Sequence, residues 1–129
     1  IQPLINKGDW IISDRFSGST LAYQGYGRGL DIKTIKILED IALQKLNPDL
    51  TLLLDISIEE SILRRGEKPN DRIEAEGYLF LKEVANGFQK IALERDWIRV
   101  EGHLNSDLVS QEIEKLVEQY FLSKSKPKK

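Results

Sequence analysis

Apolar positions along this chain fall into two kinds of segment that take turns: short continuous runs, and stripes that repeat at helical spacing. Residues 1–8, IQPLINKG, predict a short helix closed by Gly8, with Pro3 tolerable only near its start. Residues 9–13, DWIIS, are strand formers behind that turn and predict a buried strand. In residues 31–46, Ile35, Leu38, Ile41, Ala42 and Leu46 recur on one helical face, with Asp31 placed as N-cap and Asn47-Pro48 as the stop. Residues 49–56, DLTLLLDI, form a continuous apolar run, the pattern of a strand covered on both faces. Ser57 and Glu60 make a capping box at the head of a short helix, IEESILRR, and GEKPN then breaks the chain. A long helix is predicted over residues 71–95, with Ile73, Phe80, Val84, Phe88 and Ile91 on one stripe. WIRVE, residues 97–101, predicts a third strand, and residues 106–121 a last amphipathic helix. The tail, SKSKPKK over residues 123–129, is polar and basic and predicts disorder.

Strands and helices in this order predict an α/β fold with a mainly parallel sheet, one domain over residues 1–122. Ligands of such sheets bind beyond the carboxyl ends of the strands, which here carry Asp14, Arg15, Asp55 and Glu101. Between the first strand and the first long helix lies SDRFSGSTLAYQGYGRGLD, residues 13–31, which predicts a loop. Its Gly25, Gly27 and Gly29 spell G-x-G-x-G, but Leu30 stands where a dinucleotide fingerprint needs its third glycine. No G-x-x-x-x-G-K-[ST] occurs anywhere in the chain. The glycines alone fit a mobile connection as well as an anion cradle.

Composition narrows the classes. The 129 residues carry a formal charge of −2, which argues against a general nucleic-acid binder. There is no cysteine, so disulfides and Cys-ligated zinc are excluded, in keeping with a cytoplasmic protein. No apolar run is long enough for a membrane-spanning helix, so no membrane partner is expected. The chain contains no methionine, so Ile1 is read as an internal residue and upstream sequence is expected.

Two charged clusters could carry chemistry. Arg15, just past a predicted strand, can offer a bidentate fork to phosphate, with Asp14 orienting it or approaching a magnesium ion. The same dipeptide also fits an ion pair that merely closes the strand end. Arg64, Arg65, Lys68 and Arg72 surround the GEKPN turn. They fit either a cationic lid over polyphosphate or a solvated helix connection. Asp71 and Glu74 suit the first turn of the following helix, where acids complement the macrodipole. His103 receives no role, and Trp10 and Trp97 read as packing residues at strand starts.

Taken together, SDRFSGSTLAYQGYGRGLD, NPDLTLLLDIS and RRGEKPNDRIEAEGYLF, in that order, resemble the bacterial thymidylate kinases from Ile1 to about Tyr120. The resemblance implies a P-loop NTPase-like three-layer fold with a parallel sheet, here incomplete because its first strands and P-loop are absent. It also implies transfer of the ATP γ-phosphoryl group to dTMP, with Mg2+, in a cytoplasmic homodimer. Asp14 and Arg15 then occupy the family's DR motif, the arginine on the acceptor phosphate and the aspartate an indirect magnesium contact. Thr20 falls at the thymine edge, Tyr23 against the sugar, where it disfavours a 2′-hydroxyl, and Gln24 at a nearby polar contact. Arg64 and Arg65 become lid cations assisted by Lys68, and Asp71, Arg72 and Glu74 position the lid (about residues 64–71) and the acceptor.

Two departures from the family pattern stand out. Glu101-Gly102 replaces the usual Asp-Ala pair after the last strand, at the loop expected near the adenine. The missing P-loop and first strand imply a segment that is inactive alone. The competing expectation is a noncatalytic nucleotide-binding remnant that keeps part of the dTMP pocket. A third, weak nucleic-acid contact through KSKPKK, yields to the simpler reading of a solvated terminus.

Overall fold

Local chemistry sets the helix boundaries. The computed structural model describes residues 1–65 and 72–124, with backbone alone for residues 65 and 72–76. Helix α1 (Gln2–Ile5) is a single turn with Pro3 in its first turn, and Gly8 behind it takes φ +83°. Helix α3 (Ile32–Leu43) begins where the Asp31 carboxylate accepts from the Thr34 backbone N–H at 2.9 Å and from its hydroxyl at 2.6 Å. Those two bonds hold the Asp31 carboxyl below the usual range. The helix ends on Gln44 and Lys45, both in the left-handed region. Helix α4 (Ile58–Arg65) starts where Ser57 Oγ accepts from the Glu60 N–H, as the capping box predicts. Helix α5 is Arg72–Glu94, and α6 (Ser106–Lys124) is capped by Asn105, whose side-chain oxygen accepts from Leu108 N–H.

Strands β1 (Leu52–Asp55) and β2 (Ile98–Glu101) pair in parallel, Leu52 opposite Ile98 and Asp55 opposite Glu101. The result is a helix-rich α/β protein whose sheet, among the described residues, has two strands. Residues 9–13 are not the predicted strand: Trp10 is 71% and Ile12 96% exposed. A strand needs a hydrogen-bonding edge beside it. Beside β1, however, opens a cavity of about 1260 Å3, lined by Thr51–Leu54 on one side and by residues 14–19 on another. Trp10 instead leans on Phe121 of α6, ring centroids 4.4 Å apart.

The segment expected to be a loop is the second difference, and it is helical. Helix α2 (Ser17–Thr20) runs directly into a π-helical stretch, Leu21–Gly27. That stretch buries Leu21 and Ala22 completely, and they join Ile35, Val84 and Ile91 in the core. Tyr23, Tyr26, Phe80, Phe88 and Trp97 pack around them. The α5 stripe therefore holds at Phe80, Val84, Phe88 and Ile91, the Ile73 side chain lying outside the described residues, and Trp97 is a packing residue as expected. The α3 stripe does not: Ile35 is buried, but Leu38 and Ile41 are exposed, because α3 presents one edge alone to the π-helical turn.

Burial of the glycine-rich segment depends on close approach. A Cβ on Gly27 would lie 2.7 Å from both Phe80 and Val84, and one on Gly87 2.6 Å from Tyr26. Gly18 sits more tightly still under Trp97. These glycines serve packing rather than phosphate binding. Gly29, with φ +74°, is the one that turns the chain out of the π-helix.

An ionic clamp secures the far end of α5. Arg95 donates two hydrogen bonds to Glu39 of α3, at 2.7 and 2.8 Å, and Lys36 pairs with Glu94. Arg95 is the main cause holding the half-buried Glu39 carboxyl below its ordinary range. The Ser17 hydroxyl adds a smaller pull in the same direction on the Glu39 carboxyl. A depressed carboxyl contributes stability above its unfolded pKa and loses it as pH falls through the folded one. Glu39→Gln should cost about 1–3 kcal/mol at neutral pH by leaving Arg95 half-paired. It should also flatten the stability profile below about pH 5, read from urea midpoints between pH 3 and 7.

Candidate functional site

The candidate residues divide into one group on the α2–π-helical element and another on the two helices flanking residues 66–71. Arg15 lies on an extended segment just before α2, where Ser13 Oγ donates to its carbonyl oxygen at 2.5 Å and braces the backbone. Its guanidinium donates to the Tyr23 hydroxyl at 3.3 Å and lies 5.5 Å from the ring centroid. The hydrogen bond to Tyr23, more than the neighbouring Asp14, pushes the guanidinium further toward its charged form. Tyr23 is held in turn by edge contacts to Phe80 and Phe88, with centroids 6.0 and 6.1 Å away. A core-anchored ring thus presents its hydroxyl to an exposed cation. Such an arrangement orients a fork for an anion without burying the charge.

Asp14 and Arg15 both line the 1260 Å3 cavity beside β1. Thr20 is exposed at the end of α2, and Gln24 is half-buried one turn later. The Gln24 side-chain oxygen accepts from Arg28 at 3.2 Å. Reading by motif misses Arg28. Its spacing of four from Gln24 is the available signal, hidden because the segment reads as a loop rather than a helix.

The second group is less gathered. Arg64 pairs with Glu60 one turn back in α4, and among the described residues no hydrogen bond or ion pair joins it to Arg15. Lys68 and Asp71 lie outside the described residues, as do the side chains of Arg65, Arg72 and Glu74. A contact that the sequence does not indicate ties the two helices: Tyr78 of α5 donates to Glu59 of α4 at 2.6 Å. At the strand ends, Asp55 accepts from Gln89 at 3.4 Å and pairs with Arg99. Glu101 lies 3.5 Å from His103, which is exposed. Gly102 donates its N–H to the Asp55 carbonyl, where an added Cβ would stand 3.2 Å from that oxygen. Among the described residues no cluster of three or more His, Cys, Asp or Glu is placed to hold a metal. No described helix is long and apolar enough to cross a membrane.

A family model described as thymidylate kinase matches residues 1–113. The chain belongs to the thymidylate kinase family. Among its relatives is the thymidylate kinase of Prochlorococcus marinus strain SARG / CCMP1375, 54% identical over 121 residues. That match covers 94% of this chain and 55% of the relative. The thymidylate kinase of Synechococcus sp. strain WH7803 is 55% identical over 113 residues, 88% of this chain and 53% of the relative. A third, from Prochlorococcus marinus strain MIT 9303, is 50% identical over 121 residues, with 94% and 56% covered. The chain thus spans about half the length of the curated thymidylate kinases it matches.

Within this thymidylate kinase segment, the base of the Arg15–Tyr23 pair is the π-helical turn against α5, so the pair should be sensitive to that contact. Gly27→Ala is expected to cost about 1–3 kcal/mol through overpacking against Phe80 and Val84. Tyr23→Phe, which keeps the ring contacts and loses an exposed hydrogen bond, should cost less than about 1 kcal/mol. Denaturant midpoints of the two variants check the order.

Proposed function

We propose that this chain supplies the acceptor side of a thymidylate kinase that transfers the γ-phosphoryl group of ATP to dTMP. The Arg15–Tyr23 pair carries the reading: an oriented, exposed guanidinium beside an aromatic ring rooted in the core. In the reaction a phosphate oxygen of dTMP bonds to the γ-phosphorus as the bond to the β-phosphate oxygen breaks, leaving dTDP and ADP. Such a transfer asks the protein mainly for alignment and cationic charge.

On this reading Arg15 grips the acceptor phosphate and Tyr23 packs against the sugar, where its ring leaves no room for a 2′-hydroxyl. Thr20 and Gln24 meet the base edge. Arg64 and Arg65, assisted by Lys68, neutralise the transferring group, and Asp71, Arg72 and Glu74 position that segment. Magnesium enters with the nucleotide. A lone exposed carboxylate suits this, since Mg2+ keeps several waters and takes one or two carboxylates plus phosphates. Asp14 would reach it through water, and the ion would offset phosphate charge. No G-x-x-x-x-G-K-[ST] occurs in the 129 residues, so on this reading the donor phosphates are not held by such a loop of this chain. We read the whole as a cytoplasmic P-loop-type kinase. The exposed Ile37, Leu38 and Ile41 of α3 support a homodimer.

The test joins this chain, behind the unmatched part of the Prochlorococcus marinus SARG relative, into one polypeptide. That chimera should form dTDP from ATP and dTMP, and the 129-residue chain alone should form none. Arg15→Ala should lower kcat/KM by about 100- to 1000-fold while the thermal midpoint barely moves. Tyr23→Ala should admit the ribose counterpart of dTMP. A folded chimera that forms no dTDP overturns the function.

A further inference from the structure

The Gln24–Arg28 contact has a consequence for which base the site accepts. A carboxamide has an accepting end and a donating end, and its neighbours decide which way each points. Arg28 Nη1 lies 3.2 Å from the Gln24 side-chain oxygen. A guanidinium has donors and no acceptor, so the amide oxygen alone can face it. The Gln24 NH2 is therefore left for whatever lies beyond, and that group must accept.

The backbone holds Arg28 in place for this task. Its N–H bonds to the Tyr23 carbonyl five residues back, the spacing of the π-helical turn, and Gly29 then leads the chain away. Thr20 stands four residues before Gln24, so the two share a helical face with Arg28 at its end. Leu21, Ala22 and Gly25 take the neighbouring face into the core. The exposed face thus offers a hydroxyl, which bonds either way, followed by an amide committed to donating.

We propose that Arg28 is a positioning residue that fixes Gln24 as a hydrogen-bond donor toward the acceptor base, favouring a pyrimidine with a carbonyl oxygen over one with an exocyclic amino group. This rests on the placement of Gln24 at the base under the proposed function. Against a 4-amino pyrimidine two donors would meet. Without Arg28 the amide is free to turn and offer its oxygen, so selectivity falls even though Arg28 never touches the ligand.

The experiment measures steady-state kinetics of the chimera with dTMP and with deoxycytidine monophosphate. Arg28→Ala should raise KM for dTMP about 10-fold, leave kcat within about twofold, and narrow the dTMP preference about 10-fold. Arg28→Lys, which keeps a donor in reach, should restore most of both. Arg28→Met keeps the aliphatic stem without the donors and should match Ala, so a folding defect from lost packing is separated from lost orientation. In a Gln24→Ala background Arg28→Ala should add nothing. An unchanged preference in both Arg28→Ala and Arg28→Met, in a chimera that makes dTDP, overturns this proposal and leaves the proposed function standing. A folded chimera without dTDP formation overturns both.

Discussion

The close approach of the π-helical turn to helix α5 is the contact on which the rest of the structure depends. Two backbones can come that near only where no Cβ intervenes, and Gly27 and Gly87 stand at the two points of tightest contact. Around them Leu21, Ala22, Val84 and Ile91 form the core, with Tyr23 and Tyr26 lodged between the elements. Because Tyr23 is wedged against Phe80 and Phe88, its hydroxyl has one direction left, and Arg15 takes its orientation from it. The same contact that stabilises the fold therefore orients the exposed Arg15 guanidinium.

Charge is distributed to support this packing. The Glu39–Arg95 pair binds α3 and the end of α5 at one corner. A partly buried bidentate pair is directional, so it fixes α3 against the end of α5, where a surface pair would do little. Arg15 and Asp14 remain exposed beside the large cavity. A π-helix at this position is in keeping with the tendency of such turns to occur at functional sites. It shifts Tyr23, Gln24 and Arg28 relative to a regular helix, and the backbone bond from Arg28 to Tyr23 records that shift.

Much of this is legible in the residues. The α5 stripe of Phe80, Val84, Phe88 and Ile91 points to the core, since a 3.6-residue period needs no tertiary information. The caps at Asp31 and Ser57 are equally plain, because one side chain bonding one N–H is a local event. Asp14, Arg15 and Tyr23 are marked by their order along the chain, and the structure joins Arg15 to Tyr23. Less visible is the helix hidden in the glycine-rich segment. Four glycines in 19 residues read as a loop on propensity, and the reason they are helical lies in Phe80, Val84, Tyr26 and Trp97, most of them far along the chain. The apolar run at residues 9–13 misleads for the opposite reason: a strand is defined by its partner, and beside β1 there is open space.

By itself the sequence determined the order of elements from α3 onward, the helix caps, the core stripe of α5 and the family to which the chain belongs. Each of these rests on spacing or on the joint order of motifs, and none depends on what else is nearby. Tertiary structure alone decided that the glycines are contact points, that Glu39 and Arg95 clamp one corner, and that Arg28 donates to the Gln24 amide oxygen. Those facts depend on which surfaces meet in space, and hydrophobic pattern along the chain carries no direction across such a distance.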